Sequence, residues 1–273
     1  MGLSSIKGNG GYIGVDKRGE VSSSGSTGNI SVRKHYLERR RGNLTPEPPT
    51  TDVLFQDNFS SGDLSKWSVY NGSQNSQWVV GDSTSCLNEN GDSQTIPSGS
   101  TFAAYLSDDN GVTNTYEDNT NAHMVFGFTI PDDVTITTLT LEFDWMCSGE
   151  RGGGVDSYDY GYLNYINPST FTPSGGGGYA TSSGTGREKI IGTNTSPNTD
   201  NGKFSGEESG SRNNDAKDGW VYENITLDSN EITTGVWCDN GCGRGIMFSW
   251  RSDGSVLNQP GWTVANVKLT YNV

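Results

Sequence analysis

The segment ITTLTLEFDWM, Ile136 to Met146, limits the choice of fold more than any other. Leu139, Leu141, Phe143 and Trp145 alternate with Thr140, Glu142, Asp144 and Met146. A period of two is that of a β-strand with one face in a core; a helix would scatter these residues around its axis. Shorter runs of the same texture recur at Trp78–Val80, Phe102–Leu106, His123–Ile130, Thr135–Met146, Tyr158–Ile166, Trp220–Leu227, Ile246–Trp250 and Thr263–Tyr271. Clusters of Gly, Asn, Asp and Ser separate them, as turns do. The same residue types, with 38 glycines among 273 residues, disfavour helix interiors throughout. The expectation is an all-β chain folded as two packed sheets. In the closing run, Ala265, Val267, Leu269 and Tyr271 are the more apolar set and are expected to face the core. Gly175 to Asp218 reads mostly as loop, and no repeat of fixed period is present.

Before this β text lies a different kind of chain. Residues 1–28 are rich in glycine and serine and cannot build a core of their own. Residues 29–43, NISVRKHYLERRRGN, carry Ser31 as a cap, Val32, Tyr36 and Leu37 on one face and Gly42 as a stop. Such a helix is short and needs a partner surface. Pro46, Pro48 and Pro49 then favour a stiff extended spacer. Three segments follow: an anchoring arm at 1–44, a proline-rich spacer at 45–52 and a sandwich at 53–273. Charge divides along nearly the same line. Residues 1–50 hold eight Lys/Arg against four Asp/Glu, a net of +4, and residues 51–273 carry −18. A basic arm joined to an acidic body points to two different partners. The overall charge of −14 argues against nucleic acid as a partner.

Met1 to Gly28 has no apolar core of a secretory signal, and no run is long enough to span a membrane. Synthesis in a cytoplasm, with release by lysis or assembly and no membrane partner, is expected. The cysteines are Cys86, Cys147, Cys238 and Cys242, with only two histidines, His35 and His123. Only the last two cysteines are close, so zinc is not expected. A Cys238–Cys242 bridge is sterically conceivable, but cytoplasmic synthesis favours free thiols.

The order of motifs in the body resembles a known family. DNFSSG with Leu64 and Trp67, NGSQNSQWVVG, AAYLSDDNGVTNTY, LEFDWMCSGE, SYDYGYLNYINPSTFTP and FSWRSDGSVLNQPGW follow one another as in cleaved-adhesin or choice-of-anchor modules, relatives of MAM-type sandwiches. The resemblance spans roughly residues 53–273. It implies an extracellular jelly-roll β-sandwich linked to adhesion or carbohydrate binding, often with a structural calcium. The arm, GNGGYIGVDKRG followed by ISVRKHYLERRRGN, is similar to N-terminal segments of virion proteins from tailed phages, particularly marine ones. That likeness implies a non-enzymatic structural protein on the virion exterior, a decoration or fibre, assembled in the host cytoplasm. Its partners would be capsid, neck or tail proteins. A homo-oligomer is expected, a trimer being the assumption that fibre architecture suggests.

Candidate sites follow from these readings. For anchoring, Tyr12, Ile13, His35, Tyr36 and Leu37 are the contact residues, and Lys34, Arg39, Arg40 and Arg41 would pair with acidic groups on the partner. For a host-surface or environmental glycan, Tyr158, Tyr160 and Tyr162 alternate and share a sheet face, with Trp237 a further contact. The alternative for the tyrosines is packing under a loop or against a neighbouring subunit. Trp67, Trp78, Trp145 and Trp250 read as core.

The family-type calcium would draw on a Glu after the first-strand Phe and an Asp in the last strand. Ser60 and Ala265 stand there, so no metal or other cofactor is expected. Asp57 and Asn266 remain but make no cage, and Asp108, Asp109 and Asn110 read as a polar turn. Glu142 and Asp144 share a strand face, as paired-carboxylate glycosidases require. In sandwich glucanases a second Glu follows shortly, whereas Cys147 and Ser148 stand here and Glu150 lies beyond. No catalytic residue is assigned. His123 has no motif around it and reads as a solvent or edge residue, and the glycine runs lack the lysine of a phosphate loop.

Overall fold

In the computed structural model, alternation becomes strand wherever one face of a run is apolar. The structure describes residues 51–71, 75–97, 99–131, 134–150, 159–166, 187–189, 204–205, 214–227, 243–255 and 259–273. In chain order the strands are β1 (Thr51–Asp57), β2 (Ser68–Tyr70), β3 (Gln77–Gly81), β4 (Ala103–Ser107), β5 (Asn121–Thr129) and β6 (Thr138–Met146). They continue with β7 (Tyr160–Ile166), β8 (Arg187–Lys189), β9 (Val221–Leu227), β10 (Gly243–Arg251) and β11 (Thr263–Asn272). The helical content among the described residues is a single 3-10 turn, Asn214–Lys217. No helix among them is long and apolar enough to cross a membrane.

Among the described residues, eleven strands form two antiparallel sheets. One runs β3-β4-β11-β6-β9, with β1 also paired to β11; the other runs β2-β5-β10-β7-β8. Along one edge of β11, Thr263 and Val264 meet β4, and Val267 to Asn272 meet β1. The sandwich unit begins at Thr51, so Thr51 and Asp52, assigned above to the spacer, are already strand, paired with Asn272 and Tyr271.

The core lies between the sheets. Leu139, Leu141, Phe143 and Trp145 face Met124, Phe126, Phe128, Leu163, Tyr165, Ile246, Phe248 and Trp250 of the second sheet. Trp67, Trp78, Trp145 and Trp250 are buried, in line with the sequence reading. Trp262 and Phe204 were not anticipated, and both are fully buried at the centre. Phe204 falls in the stretch read as loop, yet it is bridged to Gly161 and its ring stacks on Trp262, centroids 5.1 Å apart.

The last strand departs from the expected alternation. Val267, Leu269 and Tyr271 join the core, but so does Val264, and Ala265 lies in a separate outer cluster with Cys86, Ile96, Ala103, Tyr105 and Met146. The cause is a bulge between Ala265 and Lys268, with Asn266 at φ 51°. One extra residue reverses the phase of the strand. Asn266 tolerates this left-handed backbone and donates Nδ2 to Asp144 Oδ2 at 2.8 Å. Asn266→Val, with a β-branched side chain at positive φ, is expected to cost about 1–2 kcal/mol, read as a lower urea midpoint. Asn266→Gly should retain the bulge and cost less.

Candidate functional site

The outer face of β6, β9 and β11 places a set of polar side chains beside an exposed aromatic ring. On β9, Tyr222, Asn224 and Thr226 point outward while Glu223 and Ile225 are buried. Register sets Tyr222 opposite Asp144, Asn224 opposite Glu142 and Thr226 opposite Thr140. On the far side of β6, Glu142 pairs with Lys268 and Thr140 with Thr270. Cross-strand neighbours of this kind lie within side-chain reach, diagonals included. The Tyr222 hydroxyl donates to Glu142 Oε1, and Asn224 Nδ2 donates to the same hydroxyl at 3.4 Å. Lys268 Nζ lies 3.7 Å from Glu142 Oε2. Burial, followed by donation to Glu142, raises the Tyr222 hydroxyl pKa. Burial raises that of Asp144 as well, against the opposing donation from Asn266. The ring of Tyr222 is thus held at its hydroxyl and remains 58% exposed.

A second constellation sits where the β4–β5, β6–β7 and β10–β11 connections meet. Glu150, Asp159 and Asp253 each offer a carboxylate oxygen, and these lie within 4.8 Å of one another. Asp159 is fully buried. Its Oδ2 accepts from the Tyr116 hydroxyl at 2.5 Å, and its Oδ1 accepts from the Asp253 backbone N–H at 2.7 Å. Ser255 donates its N–H to Asp253 Oδ1 at 2.9 Å, and its Oγ lies 3.3 Å from both Glu150 oxygens. Burial is the main reason the Asp159 carboxyl is pushed up to about 7; Asp253 and Glu150 add to it, and the two hydrogen bonds oppose it. Burial, then the Asp159 charge, also raises the Tyr116 hydroxyl pKa. Oxygen donors of this type suit a hard cation, which takes six to eight of them. Each oxygen of Asp159 accepts one hydrogen bond, from Tyr116 and from Asp253, so the cluster fastens three connections together.

This cluster is distinct from the family-type calcium positions. Ala265 is buried among apolar side chains. Ser60 donates its backbone N–H to Asn58 Oδ1 at 3.2 Å, and Asn58 Nδ2 donates to the Gly99 carbonyl at 2.7 Å. Asp57 is engaged by Trp67 Nε1 at 2.8 Å, by Lys66 Nζ at 3.2 Å and by the Phe59 N–H at 3.0 Å. Asp109 accepts from Thr113, Val112 and Ser107, the polar turn expected of that loop.

The other candidates fare differently. Tyr160 and Tyr162 share the outer face of β7, rings 6.0 Å apart, but they are 3% and 6% exposed. As folded, neither presents an open ring face to solvent, unlike the open aromatic platform expected from the sequence. Arg251 contributes to that packing, its guanidinium 5.8 Å from the Tyr160 ring centre. Tyr158 and Trp237, and the anchoring set Tyr12, Ile13, Lys34, His35, Tyr36, Leu37, Arg39, Arg40 and Arg41, lie outside the described residues, as do Cys238 and Cys242. His123 is neither exposed nor on an edge. It is buried on β5, between β2 and β10, with Nδ1 2.8 Å from Ser249 Oγ.

Sequence reasoning had Glu142 and Asp144 but missed Tyr222, whose outward position depends on the pairing of β9 with β6. It also missed the carboxylate cluster. Glu150 belongs to LEFDWMCSGE, Asp159 to SYDYGY and Asp253 to FSWRSDGS, so three motifs read as fold markers each contribute one carboxylate.

No family model matches this chain, and no curated protein matches it. Among solved structures, the enzymatically active domain of bacteriophage CBA120 tailspike protein 4 is similar at 8% identity and TM-score 0.40. That match covers 78% of this chain and 20% of the tailspike chain. The xylan-binding CBM22-1 domain of Paenibacillus barcinonensis Xyn10C is similar at 6% identity and TM-score 0.38, over 82% of this chain and 97% of the domain. The K2 cleaved adhesin domain of Lys-gingipain is similar at 11% identity and TM-score 0.35, over 80% and 97% of the two chains.

Proposed function

We propose that this chain is a non-enzymatic structural protein of a tailed-phage virion, attached through residues 1–44 and displaying the β-sandwich on the exterior. The observation that carries this reading is the break in charge at the start of the sandwich. Residues 1–50 carry +4 and residues 51–273 carry −18, and the sandwich unit begins at Thr51. A basic segment without a core gains order from an acidic partner surface, and an acidic, self-contained sandwich keeps copies apart in a crowded assembly. The non-enzymatic reading is supported by the sequence after Glu142 and Asp144, where Cys147 and Ser148 stand in place of the second Glu of sandwich glucanases.

The test is a truncation. A chain lacking residues 1–44 should fold with an unchanged melting temperature and fail to enter particles when supplied during assembly. Normal incorporation of the truncated chain, measured as copies per particle, would overturn the attachment reading.

A further inference from the structure

We infer that the outer face around Tyr222 binds a neutral saccharide chain. This goes beyond attachment by the arm and stands or falls independently of it. Among the described residues, the exposed large hydrophobic side chains are Val53, Tyr70, Val112, Tyr222 and Val273. Tyr222 is the most exposed aromatic of these and stands near the start of β9, beside a polar sheet face. An exposed tyrosine ordinarily loses rotamer freedom on binding. Here the hydroxyl is already tied to Glu142 and to Asn224, so the ring is oriented before a ligand arrives.

The surroundings select the class of ligand. Glu142 with Lys268, and Asp144 with Asn266, present donors and acceptors in pairs along neighbouring strands. An apolar partner would cover these groups and strand their hydration without replacing it. A ligand rich in hydroxyls can both donate to the carboxylates and accept from the ammonium and amides, while one apolar ring face stacks on Tyr222. Charge decides the rest. The patch holds two carboxylates and one ammonium on a body of net −18, so an acidic polysaccharide is repelled and a neutral one is not.

The experiment is native affinity electrophoresis of the full chain through gels containing a soluble β-glucan, a xylan, a mannan or, as the anionic counterpart, alginate. Retardation is expected in at least one neutral gel and not in alginate. Tyr222→Ala should weaken it about ten-fold, the equivalent of one lost stacking contact. Asn224→Ala, which removes one of the two contacts that hold the ring, should weaken it less, and Tyr70→Ala on the other sheet should leave it unchanged. All three positions are exposed, so melting temperatures should match the parent. Migration unaffected by every neutral polysaccharide, retardation that survives Tyr222→Ala, or retardation by alginate would each overturn the inference.

Discussion

The protein is expected to be more stable near pH 5 than near pH 8, by about 2–3 kcal/mol, and Asp159→Asn should remove most of that difference. The cause is the burial of Asp159 beside Glu150 and Asp253, which pushes its carboxyl up to about 7. In the unfolded chain the same group has its ordinary value of 3.8. Between those values the folded state holds a proton that the unfolded state has released. The stabilisation is therefore complete below the ordinary value and is lost as pH rises through the folded one. Asp144, raised by burial, contributes in the same direction. Asp63 and Asp82 are lowered by hydrogen bonds from Ser65 and Thr84, and Asp109 is lowered, against the opposing effect of burial, by those from Thr113, Ser107 and Val112, so their contributions are lost only as pH falls below the ordinary carboxylate range. The interval from pH 5 to pH 8 thus leaves out these three lowered groups, and Asp159→Asn separates the contribution of Asp159 within it.

Urea midpoints at pH 5, 6, 7 and 8 provide the measurement. In Asp159→Asn the amide oxygen can keep the Asp253 N–H, and the Tyr116 hydroxyl can turn to accept from the amide nitrogen. The variant should give a flat profile and match or exceed the parent at pH 8. A parent whose midpoint does not fall between pH 5 and pH 8, or a variant that keeps the full slope, would show that Asp159 is ionised in the fold without penalty. Asp159→Leu separates charge from hydrogen bonding. It leaves the Tyr116 hydroxyl and the Asp253 N–H without acceptors and should be destabilised at every pH, by about 1–3 kcal/mol for each group left unsatisfied.

What could be read from sequence was whatever alternation and local spacing encode. The phase of β6 follows from its own residues, because each apolar side chain is followed by a polar one and the core face chooses itself. The last strand shows the limit. Its alternation is genuine from Val267 to Tyr271, but the bulge at Asn266 inverts the phase before it, moving Val264 inward and Ala265 outward. Nothing in a count of two marks where a residue is inserted. His123 was misread for a related reason. Whether a strand is central or an edge depends on pairing order, which places β5 between β2 and β10. The carboxylate cluster is non-local in the same sense. Asp159 and Asp253 are brought together by loops at one end of different strands, and their local text is that of ordinary polar turns.

The second large effect is expected at Gly161, where the close packing of the sandwich leaves no room for a methyl group. Gly161 lies on β7 opposite Trp250, and its backbone exchanges hydrogen bonds with Phe204, N–H to carbonyl at 2.8 Å and the return at 2.9 Å. A Cβ there would sit 2.4 Å from Cδ2 and Cε3 of Trp262, well inside van der Waals contact. Trp262 cannot easily give way. It is fully buried, stacked on Phe204 and within 5.4 Å of Phe248, centre to centre, with Trp78 at its edge. The glycine lets the indole lie flat on the strand, and the indole in turn fills the space between the sheets. Gly161→Ala is expected to cost about 3 kcal/mol, at the upper end of overpacking penalties, because the obstruction is a ring held on several sides. Trp262→Ala should cost about 3–5 kcal/mol through the cavity it leaves. The two changes act on one contact, so they should not add. In the double variant the alanine at 161 meets empty space, and the total should fall short of the sum by at least 1 kcal/mol, roughly the coupling seen between touching residues. Urea midpoints of the four chains close that cycle. Strict additivity would mean that the strand bearing Gly161 moves away from Trp262 at little cost, and that the fit of glycine to indole does not hold this part of the core together.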